Sequence, residues 1–193
     1  MSPSEPEAPS AIRLERLSPE ARSLLTLAAV AGRSVEGELL LRAAGTLHIA
    51  APEEALSAAV AGRMVAPQAE TAIAFPHVLV QRTILDLLTP DKRRELHRVV
   101  ANVLEAPHGS DRVDVAASIT EHLLAGPKER GGGRLARYAL LAAREALEHF
   151  SPEGAISVAL SRSYEGAWST TVVPELRERA LRIVTSGSEA HAW

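Results

Sequence analysis

A core for this chain has to be built almost without aromatic rings. Phe, Tyr and Trp occur twice each and make up 3% of the 193 residues, whereas hydrophobic residues make up 46%. The apolar volume must therefore come from Ala, Leu, Val and Ile, small and aliphatic side chains that suit close helix packing better than a β-sandwich. An all-α design is the expectation. Charged residues at 23% complete the balance of a globular protein with one domain or two small ones. A net charge of −3 gives no global electrostatic reason to bind nucleic acid or an anionic membrane surface. The absence of cysteine excludes a disulfide framework, a thiolate nucleophile and cysteine-ligated zinc or iron. The opening residues, Met1-Ser2-Pro3-Ser4-Glu5-Pro6-Glu7, are acidic and Pro-rich where a signal peptide needs positive charge and then an apolar stretch. No uncharged run reaches the roughly 18 residues of a membrane span. A cytoplasmic protein without membrane contact is expected.

Residues 1–12 lack periodicity and read as a disordered leader. Ser18-Pro19-Glu20 then has the form of a helix start: a capping hydroxyl, a proline where its missing N–H costs nothing, and an acid at the positive dipole end. Ala21, Leu24, Leu25 and Ala28 continue it as an apolar stripe that Gly32 stops. A second helix is expected from Glu36 to Ala44 and a third after Pro52-Glu53-Glu54, ending before Gly62. Met64 to Pro67 and Thr71 to Phe75, flanking Gln68-Ala69-Glu70, are too short for helices and suit a small β-hairpin. Three helices followed by a hairpin is the order of a winged helix, here assigned to residues 13–107. A helix from His77 to Leu88 follows, and then one in which Leu96, Val99, Val100, Val103 and Leu104 form a regular amphipathic stripe, expected to pack on Leu24, Leu25 and Ala28. Pro107 to Asp111 marks a boundary. Residues 108–193 are read as a short segment of tetratricopeptide-like helical hairpins, with helices near 113–125, 134–149, 152–166 and 174–185. Small residues at Ala139, Ala142, Ala143 and Ala146, in line with Leu135 and Tyr138, would let two helices approach closely.

The sequence offers little catalytic chemistry. Neither lysine stands in a Walker-type Gly-Lys-Ser/Thr context, and Gly131-Gly132-Gly133 follows Lys128-Glu129-Arg130 rather than a strand, which makes it a linker. In Gly32-Arg33-Ser34-Val35-Glu36 the closing glycine of a nucleophile elbow is missing. The seven histidines contain no His-Glu-x-x-His and no i, i+4 pair, so no helix-borne metal site is expected. His97, His122 and His149 read as partly exposed or boundary residues. The helix that would enter a DNA major groove, Pro52 to Arg63, begins with Glu53-Glu54 and has Arg63 as its sole basic residue, so no direct DNA binding is expected. Lys92-Arg93-Arg94 with Arg98 is tempered by Asp91 and Glu95 and reads as a solvated helix face.

Several words of the sequence resemble the region after the ATPase core in STAND-type signalling NTPases, particularly the large ATP-dependent LuxR-type transcription regulators. They are Arg16-Leu17-Ser18-Pro19-Glu20-Ala21-Arg22-Ser23-Leu24-Leu25, Ala28 to Arg33, Phe75-Pro76-His77-Val78-Leu79-Val80-Gln81, and Leu88 to His97. Ala136-Arg137-Tyr138 to Ala146 and Pro152-Glu153-Gly154-Ala155 resemble the opening of that family's tetratricopeptide-like region. The resemblance implies a winged-helix domain closing over a nucleotide, in which His77 contacts an ADP phosphate when an NTPase domain is present. Pro76 departs from the basic or polar residue often found before that histidine. The chain alone would carry no cofactor, ATP or ADP entering only through an NTPase domain in cis or in trans, and its helical segment would bind protein partners. The expected function is thus non-catalytic and regulatory. A helix-capping His77 without ligand, and a freestanding helical protein–protein interaction module with no nucleotide link, are the alternatives.

Overall fold

Ser18 begins the first helix as its sequence context requires: its Oγ accepts a hydrogen bond from the Ala21 N–H at 3.1 Å, and Pro19 occupies the first turn. In the computed structural model, residues 14–106, 114–128 and 133–148 are described. The leader expected over 1–12 and the helices expected near 152–166 and 174–185, with His149, lie outside them. Two units divide the chain, Met1–Val103 and Leu104–Trp193.

The first unit contains α1 (Pro19–Ala31), β1 (Ser34–Glu36), α2 (Gly37–Thr46), α3 (Pro52–Ala61), β2 (Ala66–Pro67), β3 (Ala72–Ala74), α4 (Val78–Asp86) and most of α5 (Pro90–Glu105). The expected all-α character with one small hairpin is present: three helices precede the β2–β3 hairpin, with β1 inserted between the first two. The hairpin is part of a three-stranded antiparallel sheet in the order β1-β3-β2, with Val35 opposite Ile73 and Pro67 opposite Ile73 on the other side. Strand β1 was not legible in the pattern: it is three residues long and only Val35 is buried, so its extended form comes from pairing with β3 rather than from local preference. Gly32 ends α1 as expected, at φ 153° and ψ −177°, a conformation open to glycine and strained for other residues. Around α3 the backbone enters the left-handed region at His48, Ala51 and Arg63.

Nearly all the apolar surface of α1 is used, since Leu24, Leu25, Leu27, Ala28, Ala29 and Val30 are all buried. Its closest neighbours are α3 and α4, with α2 next. The stripe of α5 is buried at Leu96, Val99, Val100 and Val103, while Leu104 is half-buried. Helix α5 meets α1 across a groove that Leu96 lines together with Pro19, Arg22, Ser23 and Thr26. Arg42 of α2 donates to the Val103 carbonyl at 2.6 Å and so satisfies one of the carbonyls that the last turn of α5 leaves open.

The second unit holds the end of α5, α6 (Ala116–Ala125) and α7 (Gly133–Glu148). Helices α6 and α7 pack closely, as the small residues of α7 predict: Ala139, Ala142 and Ala143 are buried, and Tyr138 is fully so. His122 was expected at the boundary and is instead buried, because it shares the inward face of α6 with Ile119 and Leu123 at helical spacing.

Candidate functional site

The sequence word Phe75-Pro76-His77 carries the chain from the sheet into α4. Proline holds the residue before it extended, and the Phe75 N–H donates to the Arg33 carbonyl at 3.1 Å, continuing the pairing beyond β3 while its ring is buried. His77 then occupies the N-cap position of α4, in extended backbone (φ −131°, ψ 133°), and its side chain makes no capping hydrogen bond. Its carbonyl accepts from the Val80 N–H at 3.0 Å and closes the first turn. The helix runs from Val78 to Asp86, so the expected span of His77 to Leu88 is shortened at both ends.

Helix α4 is fixed by its inner face. Val80 and Ile84, one turn apart, are buried, and Gln81 Nε2 donates to the Ala29 carbonyl of α1 at 2.8 Å. The two ends of the helix are exposed: at its start Val78 is 56% and Leu79 69% accessible, with Pro76 and His77 exposed beside them, and Leu87, just past its end, is 67% accessible. A histidine at an uncapped helix N-terminus therefore stands in solvent with two aliphatic side chains at its shoulder. Chemically, this arrangement favours an anion through the imidazole N–H and the first-turn amides. The sequence does not mark Leu79 or Leu87 as exposed, because helical spacing alone cannot tell an inward position from an outward one when both carry aliphatic side chains.

The basic cluster on α5 is solvated, as read. Arg94 pairs with Asp91, and Arg98 with Glu95 at 3.0 Å, each within one turn and largely exposed. On α3, Glu53 and Glu54 are exposed in the first turn. His97 is half-buried and held below the usual imidazole range, first by burial and then by the nearby Arg93 guanidinium. The unfolded chain thus takes up the proton more readily than the folded one. The stability contributed by the neutral imidazole is present above the unfolded value of 6.5 and drains away as pH falls from there through the lower folded value. Chemical denaturation midpoints taken between about pH 8 and 5 are expected to fall less steeply for His97→Gln than for the parent. Identical slopes would remove His97 from the account.

One cluster escaped sequence reading. Glu105, the last residue of α5, pairs with Arg134 at 2.7 Å and Arg137 at 3.0 Å and accepts the Tyr138 hydroxyl hydrogen bond at 2.9 Å. The Arg137 guanidinium lies over the Tyr138 ring, 4.9 Å from its centroid. Burial, then the Glu105 carboxylate, pushes the Tyr138 phenol above its ordinary range. The available signal was Tyr138 itself, since a phenol on a buried stripe needs a polar partner, but nothing in the spacing named Glu105. The cluster joins helices and presents no open coordination or nucleophile.

Among the described residues no group of three or more His, Asp or Glu side chains is placed to hold a metal, and no helix is long and apolar enough to cross a membrane. The chain matches no family model, no curated protein and no solved structure.

Proposed function

We propose that this chain is a non-catalytic regulatory segment that couples the nucleotide state of a STAND-type NTPase to protein–protein interaction, as in the post-ATPase region of LuxR-type transcription regulators. The observation that carries this reading is the placement of His77. It lies exposed at the uncapped start of α4, on a helix fixed from behind by Val80, Ile84 and Gln81. A fixed helix end with an imidazole at its tip is suited to receive a phosphate held by another domain. In this reading ADP or ATP is bound by the NTPase domain, in cis or in trans, and His77 adds one contact to it. The second unit, through α6 and α7, carries the protein partner. No residue is assigned a catalytic role, and DNA is left to other parts of the regulator because Glu53 and Glu54 oppose phosphate approach.

The test is ADP release from a STAND ATPase core of the same genome, measured with and without this chain. The chain alone is expected not to retain ADP, and its addition to slow release from the core, an effect that His77→Ala abolishes. Release that is equally fast with and without the chain overturns the proposal. The exposed Val78 and Leu79, adjacent at the start of α4, support the second reading, a freestanding interaction module, since neighbouring exposed apolar side chains offer a contact surface. A complex that forms through these residues and is indifferent to both nucleotide and His77→Ala selects that reading.

A further inference from the structure

Between α1 and α5 the first unit has a groove of about 470 Å³. Its α1 wall is Pro19, Arg22, Ser23 and Thr26, which recur at i, i+3, i+4 and i+7 and so present one helix face over about 10 Å. Lys92 and Leu96, one turn apart, form the α5 wall. Leu47, Ile49 and Leu88 supply further aliphatic surface from the connecting segments.

Charge decides what such a groove accepts. Arg22 and Lys92 are exposed, one on each wall, and among the described residues neither is in an ion pair. The acids nearest to Lys92 in sequence on α5 are already engaged, Asp91 with Arg94 and Glu95 with Arg98. The hydroxyls of Ser23 and Thr26 donate at 2.8 Å to the Pro19 and Arg22 carbonyls one turn back, so their protons are used within α1. The strong donors left on the groove are the two cations.

We infer that this groove docks a short amphipathic helix of a partner protein, one whose apolar stripe is flanked by acidic residues. The stripe lies on the half-buried Leu47, Ile49 and Leu88, with Leu96 buried beneath as the floor, and the flanking acids meet Arg22 on one side and Lys92 on the other. Two turns of helix match the length of the α1 face, and cations on opposite walls match acids on both sides of a stripe. A single small anion would use the two cations and leave the aliphatic surface of Leu47, Ile49 and Leu88 uncovered. The inference is independent of the nucleotide reading, because His77 lies on α4 and does not line the groove.

The test uses the full chain and a labelled synthetic peptide of about 15 residues, with leucines at i, i+3, i+4 and i+7 flanked by glutamates, followed by fluorescence anisotropy. Its scrambled counterpart, of equal charge and composition, is the control. Saturable binding of the amphipathic peptide alone is expected. Arg22→Glu and Lys92→Glu should each weaken it about three- to ten-fold, and raising salt from about 50 to 300 mM should weaken it further. Arg82→Glu, an exposed site on α4, should leave affinity unchanged, and a peptide with lysines in place of the glutamates should bind the double charge-reversal variant better than the parent. Thermal melts of the variants should coincide, since both groove cations are exposed and lie outside ion pairs. Equal binding of the scrambled peptide, or affinity indifferent to both reversals, overturns the inference. Binding of decanoate with the same dependence on Arg22 and Lys92, in the absence of peptide binding, overturns the helical occupant and gives the groove to a small amphiphilic anion.

Discussion

Truncating Leu96 to Ala is expected to lower the stability of the first unit by about 2 to 5 kcal/mol, whereas Arg93→Ala should change it by less than about 0.5 kcal/mol. Leu96 is 2% exposed and lies where the α5 stripe meets the groove, so the deletion removes apolar burial and enlarges a space whose walls cannot fully collapse. Arg93 is exposed and makes no core contact. A domain of this size has only about 5 to 15 kcal/mol in hand, so the first change is a large fraction of the total. Denaturant melts of the two variants measure the difference. Coincident midpoints would mean that the stripe is surface rather than core, and the placement of α5 would fall with it.

In the second unit, Tyr138→Ala should cost about 3 to 5 kcal/mol and Tyr138→Phe only about 0.5 to 1.5 kcal/mol. The ring is fully buried against a helix pair that otherwise offers mostly Ala and aliphatic side chains, so removing it leaves a cavity that small neighbours cannot fill. Phenylalanine keeps the ring, and with it the contact under Arg137, and loses only the hydroxyl bond to Glu105. Amide hydrogen exchange, read helix by helix, confines the measurement to α6 and α7. Protection in these helices that survives Tyr138→Ala would show that the ring does not hold the pair together.

What could be read from the sequence was whatever depends on near neighbours in the chain. Ser18-Pro19-Glu20 specifies a helix start by side-chain chemistry within four residues, and the structure returns the predicted cap. The α7 stripe is likewise local, because Tyr138, Ala139, Ala142 and Ala143 need only helical geometry to fall on one face. Strand β1 was invisible because its partner, β3, begins 36 residues after its last residue and nothing in Ser34-Val35-Glu36 demands extension on its own. Glu105 was invisible as an anchor for the same reason: its partners arrive from α7. At the candidate site, the sequence marked His77 as a histidine at a helix start. That its surroundings are apolar and open depends on which face of α4 the Gln81 bond to Ala29 turns inward, a matter of tertiary packing.

Helix α5 is also a seam. Its Val103 carbonyl is held by Arg42 in the first unit, and two residues later its Glu105 carboxylate anchors Arg134 and Arg137 in the second. Genetic dissection of the protein therefore has no neutral cut. A fragment that stops before Glu105 ends its helix on the turn that Arg42 braces, and one that starts after Glu105 leaves two guanidinium groups beside a buried phenol without their carboxylate. Fragments meant to report on either half have to overlap, with the last turn of this helix present in both.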